Sequence, residues 1–157
     1  MLGVRLVSRW GGAEMCRLEL AAPTREENRM FGTTPMHPVL AASDLERAKQ
    51  WYADKLGLDP VEEDEYGGLQ YETGGGTFLV YLSEFAGTNQ ATAAGFRVED
   101  FDAAITELRS RGVAFEEVDF GEFGSTVDGV ISMPGGNDKA AWFKDSEGNI
   151  LSLSTIG

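Results

Sequence analysis

The chain has 157 residues, of which 42% are hydrophobic and 25% charged, and its formal net charge is −13 at pH 7. This length predicts one domain, or two small modules that share a core. The negative charge disfavours a nucleic-acid or anionic-membrane partner, and no stretch approaches the ~18 consecutive apolar residues of a membrane helix. The single cysteine, Cys16, excludes an intramolecular disulfide and a cysteine-based zinc cluster.

The first 35 residues differ in charge from the rest of the chain. They carry five arginines and four glutamates, whereas the remaining residues carry eight basic and 22 acidic side chains. Arg5 and Arg9 interrupt the apolar stretch that a secretory signal needs, and the glutamates disfavour a mitochondrial transit peptide. We therefore predict a cytoplasmic protein in which residues 1–35 are a loosely ordered arm or extension. The alternative is an arm that packs on the domain or on a second subunit.

A helix is predicted after the short extended run His37–Ala42. Ser43 and Asp44 are typical N-cap residues, and apolar residues recur at helical spacing up to Leu56. Gly57 is the residue type that a helix C-terminus prefers. Three strands are predicted next, separated by glycine-rich turns: Leu58–Glu63, Leu69–Thr73 and Thr77–Ser83.

The same order of elements then repeats. An extended run, Ala93–Val98, precedes a helix over Phe101–Arg111 that Glu99 and Asp100 cap and Gly112 closes. The extended runs that follow are Phe115–Phe120, Gly129–Met133, Ala140–Lys144 and Ile150–Thr155, with turns at Pro134–Asp138 and Ser146–Asn149.

An internal repeat supports this division. The segment Ser43–Ala48 matches Glu99–Ala104 at an offset of 56 residues, which indicates a duplication. The sequence therefore predicts an α+β fold of two tandem βαβββ modules, at about residues 36–86 and 91–157 of a domain that spans 36–157. We expect the modules to form a cup-shaped mixed sheet with the helices outside.

Five segments in this order carry a family resemblance: Leu40–Ala48, Trp51–Leu58, Phe96–Ala104, Leu108–Val113 and Trp142–Asn149. Together they resemble the glyoxalase / bleomycin-resistance / extradiol-dioxygenase superfamily, also called the vicinal oxygen chelate proteins. The resemblance covers about Met36 to Gly157. It implies a pair of βαβββ modules and, commonly, a homodimer.

The metal enzymes of that family hold a divalent cation on the first and fourth strands of each module. Carried over one by one, the four positions fall on His37, Ala93, Ser152 and one of Tyr81, Ser83 and Glu84. His37 matches the pattern, Ala93 cannot ligate, and Ser152 stands where the metal enzymes carry glutamate. Because a divalent site usually needs three or more protein donors, we expect no metal cofactor, with a divalent cation as the alternative.

Strand alternation predicts which residues line the cup if His37 points inward. These residues are His37, Val39, Ala41, Leu79, Tyr81, Ser83, Ala93, Gly95, Arg97, Ile150, Ser152 and Ser154. Trp142 and Phe143 must point to opposite faces of their strand, so one ring belongs to the core and the other can line the cup. Tyr66 and Tyr71 are further candidates for stacking. The predicted ligand-binding residues are His37, Tyr81, Ser83, Arg97, Trp142 and Ser152.

Two functions fit this lining. The first is a binding protein of the bleomycin-resistance type that holds an antibiotic or metabolite, since apolar walls with few polar anchors are typical of small-molecule sites. The net charge fits a cationic ligand. The alternative is an enzyme, either a glyoxalase-like metal-dependent lyase, isomerase or dioxygenase with a divergent site, or a metal-free enzyme with His37 as general base. Ala93 and Ser152 favour the binding protein. The sequence also leaves open a third possibility, a housekeeping protein that binds no ligand in the cup.

Overall fold

The computed structural model describes residues 32–133 and 138–155. The chain divides into two units, Met1–Met36 and His37–Gly157, and all described helices and strands lie in the second. The predicted N-terminal arm, apart from residues 32–35, lies outside the described residues. So does most of the turn predicted at Pro134–Asp138.

The second unit contains two modules with the same order of elements. The first module comprises β1 (Val39–Ala42), α1 (Leu45–Trp51) with a π-helical turn (Tyr52–Leu56), β2 (Glu62–Glu63), β3 (Leu69–Thr73) and β4 (Gly76–Leu82). The second comprises β5 (Thr92–Arg97), α2 (Phe101–Ser110), a 3₁₀ turn (Gly121–Phe123), β6 (Val130–Ser132), β7 (Lys139–Lys144) and β8 (Ile150–Ser154). Among residues 32–133 and 138–155, the helices lack the length and the hydropathy that a bilayer-spanning helix needs.

Each module forms a mixed sheet of four strands, and the two sheets have the same topology. Their orders are β1-β4-β3-β2 and β5-β8-β7-β6. The first strand of each module pairs in parallel with the last, and the other pairs are antiparallel. The predicted α+β fold of two βαβββ modules with cup-like sheets is therefore confirmed.

Each sheet buries one face and leaves the other accessible. In the first sheet Leu40 and Val80 are at most 3% exposed, whereas Val39 and Tyr81, which alternate with them, are 52% and 40% exposed. We call the accessible faces the first and second open faces. The first consists of Val39, Ala41, Gln70, Glu72, Thr77, Leu79 and Tyr81. The second consists of Thr92, Gly95, Arg97, Trp142, Lys144, Ile150, Ser152 and Ser154.

The helix of the first module contributes to a core that both modules share. Tyr52 is fully buried and packs against Tyr71 and Phe78 of the first sheet, while Trp51 stacks on Phe143 of the second at 6.3 Å between ring centroids. The expectation that Tyr71 lines the cup is wrong. Its side chain is fully buried and stacks on Phe78, because β3 turns Leu69 and Tyr71 toward the core.

The predicted helix ends are confirmed. Asp44 and Asp100 cap their helices by accepting hydrogen bonds from Arg47 N and Ala103 N, each at 3.0 Å. Gly57 ends the first helix with φ of 68°, a left-handed conformation that glycine adopts without strain.

The two helix C-termini also cap each other. Lys55 Nζ donates to the carbonyl oxygen of Arg111 at 2.6 Å, and Arg111 Nη1 donates to the carbonyl oxygen of Lys55 at 3.3 Å. These residues are 56 positions apart, the offset of the internal repeat. Each cation therefore lies at the negative end of the other module's helix, where it is stabilising.

One predicted strand is absent. Phe115–Phe120 makes only isolated bridges, from Phe115 to Phe143 and from Asp119 to Ser125. The backbone of this segment is instead bonded to a neighbouring loop: Thr126 Oγ1 accepts from Val118 N at 2.8 Å, and Thr126 N donates to the carbonyl oxygen of Val118 at 2.9 Å. Side-chain hydrogen bonds of this kind compete with a strand ladder.

Candidate functional site

The six predicted ligand-binding residues fall into two groups, one with each sheet. His37, Tyr81 and Ser83 belong to the first module, on β4 or next to β1 and β4. His37 is exposed and precedes β1, and Tyr81 lies on the first open face beside Ala41. Ser83 follows β4, and its hydroxyl accepts a hydrogen bond from Phe85 N at 3.2 Å. The Ser83 hydroxyl is thus part of a local turn. Tyr81 is the residue of this group that presents an aromatic ring on the first open face.

Trp142, Ser152 and Arg97 form the second group. Ser152 lies in the middle of the second sheet, with Gly95 of β5 on one side and Trp142 of β7 on the other. Arg97 is exposed at the end of β5, beside Ser154. As predicted, one ring of the aromatic pair is buried and the other is not, because Phe143 is fully buried and Trp142 lies on the open face.

The indole of Trp142 extends across the second open face. Its Nε1 donates to Thr92 Oγ1 at 3.1 Å, and Thr92 lies on β5, two strands away from β7. The indole must therefore pass over β8. Phe120 packs on the same indole with ring centroids 4.9 Å apart. These two contacts hold a flat aromatic surface in place above the sheet.

Gly95 leaves room for the hydroxyl of Ser152. A Cβ atom at position 95 would lie 2.5 Å from Ser152 Oγ. Both residues share the second open face, so the absence of a side chain at Gly95 makes the Ser152 hydroxyl accessible from the β5 side. The result is a shallow strip between the Trp142 indole and the Arg97 end of β5.

A register irregularity changes one predicted position. The pairing of β5 with β8 shifts between Thr92 and Ala94, so the alternation is interrupted at Ala93. Ala93 was expected on the inner face but packs against the buried core. Thr92 takes a place on the open face, where its hydroxyl meets the Trp142 indole.

The donors at the family's metal positions do not fit a divalent cation. Ser152 is flanked by Gly95, which has no side chain, and by Trp142, whose nitrogen is bonded to Thr92. Neither flank supplies the carboxylate or imidazole groups that such a cation prefers. Within residues 32–133 and 138–155, no three His, Cys, Asp or Glu side chains are grouped to hold a metal ion.

A buried acidic turn is the feature that sequence reasoning missed. The side chain of Glu147, between β7 and β8, is fully buried and lies at the N-terminus of α1. Its Oε2 accepts from Ser43 N at 2.8 Å and from Asp44 N at 3.2 Å, and its Oε1 accepts from Arg47 Nε at 2.8 Å. Burial alone raises the pKa of this carboxyl, but the bonds from Arg47 and Ser43 outweigh burial and lower it to about 2.

Asp145 and Asn149 complete the same turn. Asp145 directly precedes the turn predicted at Ser146–Asn149, and its Oδ1 accepts from Glu147 N and Asn149 N, each at 2.9 Å. Its Oδ2 also accepts from the Tyr52 hydroxyl at 2.9 Å, and Asn149 Nδ2 donates to the carbonyl oxygen of Ala41 at 2.9 Å. Burial and the adjacent Asp145 carboxylate raise the pKa of Tyr52 far above its usual value. Hydrogen bonds from this turn to Tyr52, Ala41, Ser43 and Arg47 therefore link the second module to the first.

Comparisons with known proteins agree with the fold. Among curated proteins, none matches the chain. The solved structure of UcmS2 is 19% identical, with a TM-score of 0.61, over 79% of this chain and 98% of that one. A glyoxalase family protein from Enterococcus faecalis is 22% identical, with a TM-score of 0.57, over 80% of this chain and 99% of the other.

A third solved structure is that of the fosfomycin resistance protein FosX from Listeria monocytogenes, a mutant form complexed with Mn(II) and 1S,2S-dihydroxypropylphosphonic acid. It is 12% identical, with a TM-score of 0.55, over 80% of this chain and 91% of that chain. At these identities the likeness shows the fold alone. The family model of the glyoxalase/bleomycin resistance protein/dioxygenase superfamily matches residues 34–153. The chain belongs to this superfamily.

Proposed function

We propose that this protein binds a small organic molecule on the open faces of its sheets without a metal ion, as a binding protein of the bleomycin-resistance type. The observation that carries the proposal is the environment of Ser152. A hydroxyl beside Gly95 and the Trp142 indole is a poor ligand for a divalent cation but a good hydrogen-bonding partner for an organic oxygen. The Trp142 indole, held beside the Ser152 hydroxyl, offers a flat face on which an organic ring can stack and so supports the same proposal.

The competing proposal is a metal-dependent enzyme. FosX was solved with Mn(II), and His37 of this chain is an exposed imidazole at one of the family's metal positions. His37 has no carboxylate at the Ser152 position to act with it. The two proposals therefore differ in what EDTA does to ligand binding.

The test is a thermal-shift screen of the full chain after EDTA treatment, against antibiotics and metabolites of both charge signs, since a ligand that binds the folded state raises the melting temperature. Hits are then titrated calorimetrically with and without EDTA. We expect saturable binding that EDTA leaves unchanged. Ser152→Ala should weaken it, whereas Ser110→Ala, at the far end of α2, should not.

Binding that appears only with added Mn²⁺, Ni²⁺ or Zn²⁺ and disappears in His37→Ala would favour the enzyme. A screen in which no compound raises the melting temperature would contradict the proposal.

We also propose that the protein is cytoplasmic and forms a homodimer. The homodimer is supported by exposed apolar side chains at the end of β4 and just after it, where Tyr81, Leu82 and Phe85 are 40%, 63% and 68% exposed. Patches of this kind commonly mark protein interfaces. Sedimentation velocity on the full chain should give the mass of two chains, and Leu82→Glu should lower it to the mass of one. A single-chain mass for the unmodified protein would refute the dimer.

A further inference from the structure

We infer that the molecule bound on the second open face is a flat aromatic acid, whose ring stacks on Trp142 and whose anionic group pairs with Arg97. The inference rests on the proposed function and names the ligand class for this face. It also reverses the expectation of a cationic ligand that the net charge of the chain suggested.

The charge on the face differs in sign from the charge on the chain. Arg97 is exposed, and in the described part of the chain its guanidinium makes no hydrogen bond or ion pair. Lys144, the second cation of this face, is bonded to Glu116 at 2.9 Å. None of the residues that define the second open face is acidic. A net charge acts over long distances and is screened by salt, whereas a ligand in contact with the sheet meets Arg97 directly.

The two anchors lie at a separation that suits one molecule. Trp142 pairs with Ser152 and Arg97 pairs with Ser154, so the anchors are two residues apart along β8 and lie on the strands to either side of it. With standard strand spacings their Cα atoms are roughly 12 Å apart. The indole itself leans toward Thr92, whose β8 partner Ile150 is four residues from Ser154, the partner of Arg97. A bound molecule must therefore lie along β5 over Gly95, across roughly 13 Å between Thr92 and Arg97, a length that a two-ring aromatic acid and the arginine side chain can cover together.

The surface between Trp142 and Arg97 carries a hydrogen-bonding group but no large side chain. The Ser152 hydroxyl lies there, and Gly95 adds no side chain beside it. A flat ring can therefore approach the sheet closely, with the hydroxyl at its edge. The guanidinium then presents paired N–H donors to a carboxylate, sulfonate or phosphonate, a geometry in which arginine binds such groups bidentately.

The experiment uses three probes with the same ring and different charge: 2-naphthoate, 2-naphthylmethanol and 2-naphthylmethylammonium. Each is titrated calorimetrically into the full chain at low and high salt. We expect 2-naphthoate to bind most tightly. Arg97→Gln should weaken it roughly ten-fold or more, as for a charge-assisted hydrogen bond, and Arg97→Lys should restore part of the loss. Lys49→Gln, a matched loss of one positive charge on α1, should leave the affinity unchanged.

The results of these titrations test the ligand class without deciding the proposed function. Binding of the neutral or cationic probe at least as tight as that of 2-naphthoate, or an Arg97→Gln variant that binds 2-naphthoate normally, would overturn the inference. Absence of 2-naphthoate binding would overturn it as well. The proposed function is then judged by the EDTA-treated screen, in which compounds of other classes can still bind.

Discussion

The two modules have the same strand order but differ in the turn that joins their last two strands. In the first module the β3–β4 turn is rich in glycine, and a Cβ atom at Gly74 or Gly75 would meet nothing within 4 Å. In the second module the β7–β8 turn is buried, with Asp145 and Glu147 each 6% exposed. The two turns therefore have different structural roles although the modules share one topology. The β7–β8 turn links the two modules, whereas the β3–β4 turn faces solvent.

The largest expected effect comes from breaking the buried turn. Asp145→Ala removes the acceptor of the Tyr52 hydroxyl and of two backbone N–H groups, so buried donors lose their partners. We expect the free energy of unfolding in urea to fall by roughly 3–5 kcal/mol.

Asp64 is a matched control for this substitution. It also accepts two backbone N–H groups, from Tyr66 and Gly68, but lies in an exposed turn of the first module. Asp64→Ala should cost about 1 kcal/mol or less. Equal losses from the two substitutions would show that the turns of both modules matter alike.

Glu147→Gln should have the next largest effect. The amide removes the charge that faces Arg47 and places donors opposite the N–H groups of the α1 N-terminus. We expect a loss of roughly 2–3 kcal/mol in the free energy of unfolding. Arg47→Gln should cost roughly 1–2 kcal/mol, less than Glu147→Gln, because the Arg47 side chain is half exposed and the N–H groups of Ser43 and Asp44 still donate to Glu147. A variant at Glu147 as stable as the unmodified protein would refute this account of the turn.

The Glu147 contribution should also depend on pH. Folding lowers the pKa of this carboxyl from its usual 4.5 to about 2, so its stabilising effect is complete above pH 4.5 and is lost as the pH falls toward 2. The difference in unfolding free energy between the unmodified protein and Glu147→Gln should therefore shrink across this interval. A difference that stays constant down to the lower pH would contradict the assigned pKa.

The smallest effects are expected where the modules are alike, at the two helix C-termini. Lys55→Gln and Arg111→Gln each remove a cation from the other module's helix end and should each cost about 0.5–1 kcal/mol. Chemical denaturation of both variants should give similar losses. A large loss from one and none from the other would show that the reciprocal caps are not equivalent.

The sequence predicts the elements that local chemistry determines. Asp44, Asp100 and Gly57 begin or end helices that are adjacent to them in the sequence, so their roles can be predicted locally. The repeated order of elements predicts the topology. The buried turn could not be predicted in the same way, because Glu147 meets Ser43 from 104 positions away and nothing near Glu147 signals that partner. The positions of Tyr71 and Ala93 were wrong for a related reason, since the face of a strand depends on its register and on bulges.

The sequence predicts which residues belong to the candidate site better than it predicts how their side chains contact one another. Trp142 and Ser152 follow from alternation once the family resemblance supplies the register, and the structure places them side by side. The contact of the indole with Thr92 depends on the bulge in β5, which no residue pattern indicated. The sequence alone favours a surface acid as the partner of Arg97, and only the folded chain shows that its guanidinium contacts none in the described residues.

Metal content is the most direct test of the central claim, that this member of the superfamily binds its ligand without a metal ion. The full chain is purified without chelator, analysed for Mn, Fe, Ni and Zn, and then titrated with each divalent cation by calorimetry. The account predicts substoichiometric metal and no saturable binding, for the unmodified protein and for His37→Ala alike. One tightly bound cation per chain, lost in His37→Ala, would contradict it.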